Sequence, residues 1–296
     1  MPDRRVVVSG ASGLIGRALI DSLTADGYTV TRLVRHPAHG PEEVTWAPGE
    51  EPLDPGVLAG AEAVVNFNGA TIGRFPWTAG YKKQLVWSRL HPTRTLARAL
   101  RELGDNAPLF VSSSATGYYP PDARGRTFDE SGPQGDAFLS DLCGEWEASA
   151  VASGAPTALL RTAPVVHRDG VLKPLLLLTK AGLSGPLGRG TQVWPWISLD
   201  DEIRAIRHVI DHGITGPVNL TGPERATAND LGFALARRLN RPYLLRAPLW
   251  AIRLVLGKDA VDALLANDTH VLPAVLLESG FTFRHPTVED AVAAAV

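Results

Sequence analysis

Sulfur is almost absent from the sequence: Cys143 is its single cysteine. A lone cysteine excludes an intrachain disulfide framework. An excess of one charge is also missing. The 29 Lys and Arg against 31 Asp and Glu leave a net charge of -2 over 296 residues, so no general basic field is available for nucleic acid or anionic lipid, although local basic sites remain open. Long apolar runs are lacking too. The most apolar later stretch, residues 171–180, contains Lys173, Pro174 and Lys180 and falls short of the roughly 20 apolar residues a membrane span needs. No apolar export segment opens the sequence, where Met-Pro-Asp-Arg-Arg leads directly into a strand. Together these absences predict a cytoplasmic protein without a membrane segment, whose partner is a small molecule and not a nucleic acid or a membrane. Neither an internal repeat nor a low-complexity segment is found.

What is present is an ordinary globular balance, 45% apolar and 20% charged, on a chain long enough for one large α/β unit with a smaller second lobe. Near the start Arg5-Val-Val-Val-Ser9, a helical pattern from about Leu14 to Ala25, the cap Gly27 and a β-branched run over 28–34 form a βαβ unit. The alternation continues through strands near 44–46, 63–67, 109–112 and 157–161, with helical patterns over 79–103 and 137–153. This order predicts a Rossmann-type, doubly wound parallel sheet. Pro92 lies inside the 79–103 pattern and predicts a break near His91, because proline removes an N–H and crowds the preceding turn. Beyond Arg161 the pattern loosens into a glycine-rich loop over 184–190, a helix over 200–212, a strand over 217–221 and mostly helical sequence thereafter. The expected division is 1–222 for the nucleotide-binding part and 223–296 for a smaller, mostly helical C-terminal lobe contributing to the substrate side.

Gly10-Ala-Ser12-Gly13-Leu14-Ile15-Gly16 sits between the first strand and first helix. Glycines there permit a tight turn and the close approach of backbone N–H groups to a dinucleotide's pyrophosphate, with the helix dipole adding attraction. About 20 residues further on, a site selective for NAD carries an acid for the ribose hydroxyls, whereas an arginine can pair with the 2′-phosphate of NADP. Arg35 stands at that place, and no acid occurs from Thr31 to Gly40. NADP is therefore the expected cofactor.

Further motifs follow in a distinctive order: Asn66-Phe67-Asn68-Gly69-Ala70, Trp77 to Lys83 with Ser88, Arg89 and Thr93, Ser112-Ser-Ser-Ala-Thr-Gly-Tyr-Tyr119, Asp129-Glu-Ser131, Trp146-Glu147, Trp194-Pro-Trp-Ile197 and Gly280-Phe281. In this the chain resembles the epimerase-family proteins of the atypical, extended short-chain dehydrogenase/reductase type. These join an NAD-dependent epimerase/dehydratase-like domain to a small C-terminal domain of unknown function. The resemblance spans nearly the whole chain. It implies that Leu14, Ile15 and Arg35 surround the adenosine end of NADP, that Phe67, Asn68 and Gly69 lie beside its ribose, and that Gln84, Arg89 and Val165 complete the site. A structural ion pair is the competing reading of Arg89. Trp194 and Trp196 suit either a wall of a substrate cleft or aromatic core packing.

The resemblance also implies chemistry by general acid catalysis beside a hydride carrier. Ser114 falls at the serine position that orients a carbonyl. Anchored by Glu147, the customary Tyr-x-x-x-Lys pair falls on Leu139 and Cys143, neither of which serves. Tyr118 is the leading substitute for the tyrosine, with Lys82 or Lys83 as its neighbouring cation; a buried aromatic with a satisfied hydroxyl is the alternative. Cys143 has no histidine partner nearby and is read as a buried thiol. His208 and His212 share a helical face without a third ligand, so no metal is assigned, and Asp200-Asp201 is read as the opening of a helix. Two functions follow as expectations: an NADP-dependent oxidoreductase or epimerase-like enzyme acting on a small polar or carbonyl substrate, or a non-turnover NADP-binding regulatory protein.

Overall fold

The computed structural model describes residues 4–296, and of 122–125 the backbone alone; Met1 to Asp3 of the amino-terminal lead-in lie outside the described residues. In chain order the elements are β1 (Arg5–Ser9), α1 (Leu14–Ala25), β2 (Thr29–Val34), β3 (Glu43–Thr45), β4 (Ala63–Asn66), α2 (Ala79–Leu103) and β5 (Leu109–Ala115). They continue as β6 (Asp122–Phe128), α3 (Phe138–Val151), β7 (Thr157–Thr162), β8 (Val165–Val166), α4 (Leu172–Lys180), β9 (Ile197–Ser198), α5 (Leu199–His212) and β10 (Gly216–Leu220). The remainder comprises α6 (Ala228–Arg238), α7 (Leu249–Leu256), α8 (Lys258–Leu264), β11 (Asp268–Val271), α9 (Ala274–Glu278) and α10 (Val288–Ala295).

Seven strands form one sheet in the order β10-β7-β5-β4-β1-β2-β3, with every neighbouring pair parallel. Both faces are covered, which is why the strands read as near-continuous apolar runs and not as alternating ones. Val6, Val8, Val65 and Leu160 point to the face packed by Leu19 and Leu23 of α1 and Ile203 and Ile206 of α5. Val7, Val64, Phe110 and Leu159 point to the opposite face, covered by Leu96 and Leu100 of α2 and Ala150 of α3. The chain reverses its direction of winding between β1 and β4. Ligands of doubly wound sheets bind outside the C-terminal ends of the strands at such a reversal.

The smaller part assembles around α4, α6 and α10, which share Leu172, Leu176, Leu231, Leu235, Val288 and Val292 as a core. Among the described residues no helix is long and apolar enough to cross a membrane.

Two features differ from the sequence reading. α2 runs undivided through Pro92, without the expected break near His91. Leu90, Pro92, Thr93 and Leu96 are all buried, and the Thr93 hydroxyl donates to the Arg89 carbonyl at 2.8 Å across the proline turn, so packing on both sides outweighs the lost backbone bond. The parallel pair β6 and β11 also carries no strong strand signature in the sequence.

Candidate functional site

The glycine loop has the backbone geometry its residue types allow. Gly10 has φ +75°, which favours glycine, and a Cβ there would lie 2.6 Å from the Phe67 carbonyl carbon. The loop after β1 is thus pressed against the loop after β4. Gly16 is equally constrained, since a Cβ on it would meet the Gly10 carbonyl oxygen at 2.5 Å. Gly13 caps α1 with ordinary extended angles, no side chain satisfies the helix's first N–H groups, and its first turn holds no acid. An uncapped, acid-free helix start presents unpaired N–H donors and positive dipole to an anion. Ser12 is exposed at the loop's tip, its carbonyl accepting from Arg17 Nη1 at 3.0 Å.

Arg35 follows directly on β2, whose Leu33 is level with Ser9 at the end of β1. It is exposed and makes no ion pair among the described residues, whereas Arg32 is held by Glu42 and Glu43 at 3.5 Å. Ile15, Phe67 and Val165 are half-buried on the edge of one core, which brings the first helix, the loop after β4 and the segment after β7 to a common margin. Leu14 is half-buried beside them and Gln84 is exposed on α2.

Below the loop, Asn66 is wholly buried and its Oδ1 accepts from Ser9 Oγ at 3.1 Å, Asn68 N at 3.3 Å and Asn68 Nδ2 at 2.9 Å. Its Nδ2 donates to Thr93 Oγ1 at 2.8 Å, which also accepts from Trp146 Nε1 at 2.9 Å. This network fixes Asn68 and Gly69. Arg89 reaches the same place from α2: its guanidinium donates to the carbonyls of Leu85 and Ala70 at 2.9 and 3.1 Å. A Cβ on Gly69 would approach Arg89 Cζ to 3.1 Å. The ion pair that was the competing reading of Arg89 does not form among the described residues. Burial lowers its pKa below the ordinary arginine value. Half-buried over the Trp146 ring at 5.3 Å and hydrogen-bonded to carbonyls, this cation retains unpaired N–H donors and its full charge.

Ser114 and Tyr118 flank a second buried system. Ser114, 4% exposed at the end of β5, donates to Glu147 Oε1 at 2.6 Å. Glu147 is gripped by Arg161 of β7, with Nε to Oε1 and Nη2 to Oε2 both at 2.9 Å. Burial opposes the charge on Arg161, but the bonds to Glu147 outweigh it and raise its pKa. Arg161 Nη1 donates to Tyr119 Oη at 2.9 Å, and Tyr119 Oη donates to Asn219 Oδ1 at 2.7 Å. Burial pushes the Tyr119 phenol up to about 12. The Tyr118 ring stacks with its centroid 3.6 Å from Arg161 Cζ.

The cation beside Tyr118 is therefore Arg161. Lys82, one of the two lysines considered for that place, pairs with Asp259 and lies over Phe138 at 5.1 Å, and Lys83 is exposed. Arg161 was legible only as a strand residue, yet a charge ending the run Thr157-Ala-Leu-Leu is a signal for a buried partner. Cys143 is buried beside the Ser114 side chain, and burial pushes its thiol up to about 12, so it stays protonated and unreactive. Trp194 and Trp196 are buried, with their indole N–H groups donating to the Leu265 and Glu224 carbonyls at 3.2 and 3.1 Å; Trp196 packs in the core of the smaller part, whereas Trp194 lines a small cavity with Leu187 and Leu245. His208 bonds Ser279, and His212 bonds the His208 carbonyl. The α5 N-cap is Ser198, which accepts from Asp201 N, with Asp200 and Asp201 in the first turn.

With this geometry in view, residues 6–221 match the model of the NAD dependent epimerase/dehydratase family, and residues 247–295 match a domain of unknown function, DUF1731. An epimerase family protein of Mycobacterium leprae is 37% identical over 98% of this chain and 95% of that protein. The epimerase family protein SDR39U1 of Homo sapiens is 31% identical over 97% and 98% respectively. The crystal structure of human SDR39U1 (isoform 2) with NADPH superposes with a TM-score of 0.86 at 29% identity, covering 98% of both chains. At 16% identity, the fold alone is shared with a UDP-glucose 4-epimerase from Thermotoga maritima, at a TM-score of 0.76 over 98% of this chain and 97% of that one.

Proposed function

Because this chain belongs to the NAD-dependent epimerase/dehydratase family, we propose that it binds NADP(H) at the C-terminal ends of β1 and β4 and acts as an oxidoreductase or epimerase-like enzyme on a small polar or carbonyl substrate. The observation that carries the binding reading is the glycine turn over 10–16, packed so closely that a Cβ on Gly10 would strike the Phe67 backbone and one on Gly16 the Gly10 carbonyl oxygen. It faces the uncapped start of α1. The residues fit the group: the amides of 10–16 would hold the diphosphate, Arg35 the 2′-phosphate, Phe67, Asn68 and Gly69 would lie beside the ribose, and Arg89 would supply a half-buried cation to its oxygens. Leu14, Ile15, Gln84 and Val165 line the remainder. The human relative crystallised with NADPH supports the choice. When bound, NADP(H) supplies hydride transfer.

Ser114 and Tyr118 are the proposed catalytic residues, Ser114 orienting the substrate carbonyl and Tyr118 moving the proton, with the lobe from 223 to 296 closing the substrate side. We place the protein in the cytoplasm. Ser114 has a single hydroxyl proton, and it points at Glu147; donating to a substrate requires a rotation that Arg161 makes tolerable by keeping Glu147 paired. That engagement, with Leu139 and Cys143 at the customary Tyr and Lys positions, favours a second reading, a non-turnover NADP-binding regulatory protein. NADPH consumption screened over carbonyls, enones and nucleotide sugars separates them. Turnover abolished by Ser114→Ala or Tyr118→Phe supports the enzyme, activity indifferent to both removes the catalytic assignment, and binding without turnover of any compound favours the regulator. No affinity for NADPH or NADH by direct titration overturns both.

A further inference from the structure

The outward face of α7 is apolar from end to end. Trp250, Leu254 and Val255 are 66, 80 and 75% exposed, and no residue of this helix is buried. Trp250 and Leu254 stand one turn apart and form a stripe. Before α7, exposed Leu244 and Leu245 donate their N–H groups to the Ser184 carbonyl at 3.0 and 3.2 Å, next to exposed Leu183. An ordinary surface helix turns its charges outward. Here the helix's charged residue, Arg253, is held by Asp262 of α8 at 2.8 Å, and the apolar side chains face out. The helix is anchored at both ends to the part before residue 222: Leu249 packs at Gly188, and Gly257, just after the helix, lies beside Pro76.

The chain leading through this face is one-sided in charge, and the acids that follow it on α8, Asp259 and Asp262, are paired with Lys82 and Arg253. From Arg237 to Lys258 the chain carries six cations and no acid, within a protein of net charge -2. Arg241, Arg246 and Lys258 are exposed and make no ion pair among the described residues. Arg246 and Lys258 bracket α7 in sequence. An apolar stripe between cations complements a bilayer surface bearing anionic headgroups, where Trp and Leu enter the headgroup boundary and Arg and Lys reach the phosphates. A second copy suits the face less, because an isologous contact would oppose like-charged rims.

We propose that α7 and the segment 241–246 dock this protein on an anionic membrane surface, with α7 lying in the plane of the interface. Eight residues of helix extend only about 12 Å, so the helix lies on the bilayer and does not span it. The proposal is independent of cofactor binding.

Cosedimentation of the full chain with phosphatidylcholine vesicles, containing or lacking phosphatidylglycerol, tests it. Pelleting with the anionic vesicles alone, weakening as salt rises, is the expected result. The variant Arg241→Glu/Arg246→Glu/Lys258→Glu should bind them at least roughly a hundredfold more weakly, since each surface cation contributes about a factor of five or more. Trp250→Gln/Leu254→Gln should lose the remainder with unchanged circular dichroism; where that variant misfolds, the charge variant and the salt titration decide. Pelleting with neither vesicle, or pelleting indifferent to phosphatidylglycerol or to the charge variant, overturns the proposal. So does a concentration-dependent dimer abolished by Trp250→Gln/Leu254→Gln without vesicle binding, which assigns the face to a second copy.

Discussion

Glu147 and Arg161 meet as a buried bidentate ion pair, with two parallel bonds of 2.9 Å between side chains 9% and 4% exposed. The pair joins α3 to β7, and Ser114, Tyr118 and Tyr119 are all positioned against it.

Removing one partner leaves the other charge buried and unpaired. Arg161→Met should therefore lower the free energy of unfolding by about 3–5 kcal/mol, read from urea denaturation at neutral pH. An unchanged midpoint and slope would show that the pair contributes nothing measurable.

The glycine loop makes a graded prediction. Gly10→Ala introduces a methyl 2.6 Å from the Phe67 carbonyl carbon at φ +75°, and Gly16→Ala places one 2.5 Å from the Gly10 carbonyl oxygen. Each should destabilise the fold by more than about 1 kcal/mol. Gly13→Ala meets its nearest neighbour, the Gly10 carbonyl oxygen, at 3.4 Å with φ −72° and should stay within about 0.5 kcal/mol of the parent. Thermal melts of the three variants check the order, and equal melting temperatures would contradict it.

Much of this site was legible in the sequence because its signals are local. The spacing of Gly10, Gly13 and Gly16 and the β-branched runs on either side dictate the turn and the sheet whichever distant residues pack there. What lay beyond reading was non-local. Pro92 suggests a break from its own chemistry, whereas the burial that carries α2 through it comes from the sheet and α3. Ser114 was singled out by position alone, and its engagement with Glu147 depends on Arg161, which arrives from β7, beyond the whole of α3. Lys82 was set beside Tyr118 because its helix neighbours the strand that leads to the tyrosine, yet Asp259, brought in by α8, takes the lysine.

Arg35 makes the cofactor preference testable. Exposed and without an ion-pair partner among the described residues, it has no structural bond to lose, so Arg35→Asp should leave the melting temperature of the ligand-free protein nearly unchanged. Its affinity for NADPH should fall roughly 10- to 100-fold, the worth of a charge-assisted contact of about 1.5–3 kcal/mol. Affinity for NADH should change far less. Titration with both coenzymes checks this, and equal weakening would defeat the assignment of the 2′-phosphate to Arg35.

Glu202 makes stability depend on pH. It is fully buried in the first turn of α5, its Oε1 accepting from Thr162 Oγ1 at 2.9 Å while Oε2 has no protein partner among the described residues. Burial, only partly offset by the Thr162 bond, raises its pKa from 4.5 to about 8. Below pH 4.5 both folded and unfolded chains hold this proton and the group adds no pH dependence. Between 4.5 and 8 the unfolded chain releases the proton while the folded chain keeps it, so Glu202 lowers stability progressively as pH rises, and its effect levels off above 8. A glutamine side chain does not ionise but retains an acceptor for Thr162, so Glu202→Gln should remove this contribution and stabilise the protein more at about pH 8 than at about pH 5. Urea midpoints of parent and variant at the two pH values measure the difference, and a stability gap independent of pH would show that Glu202 ionises in the fold as it does in water.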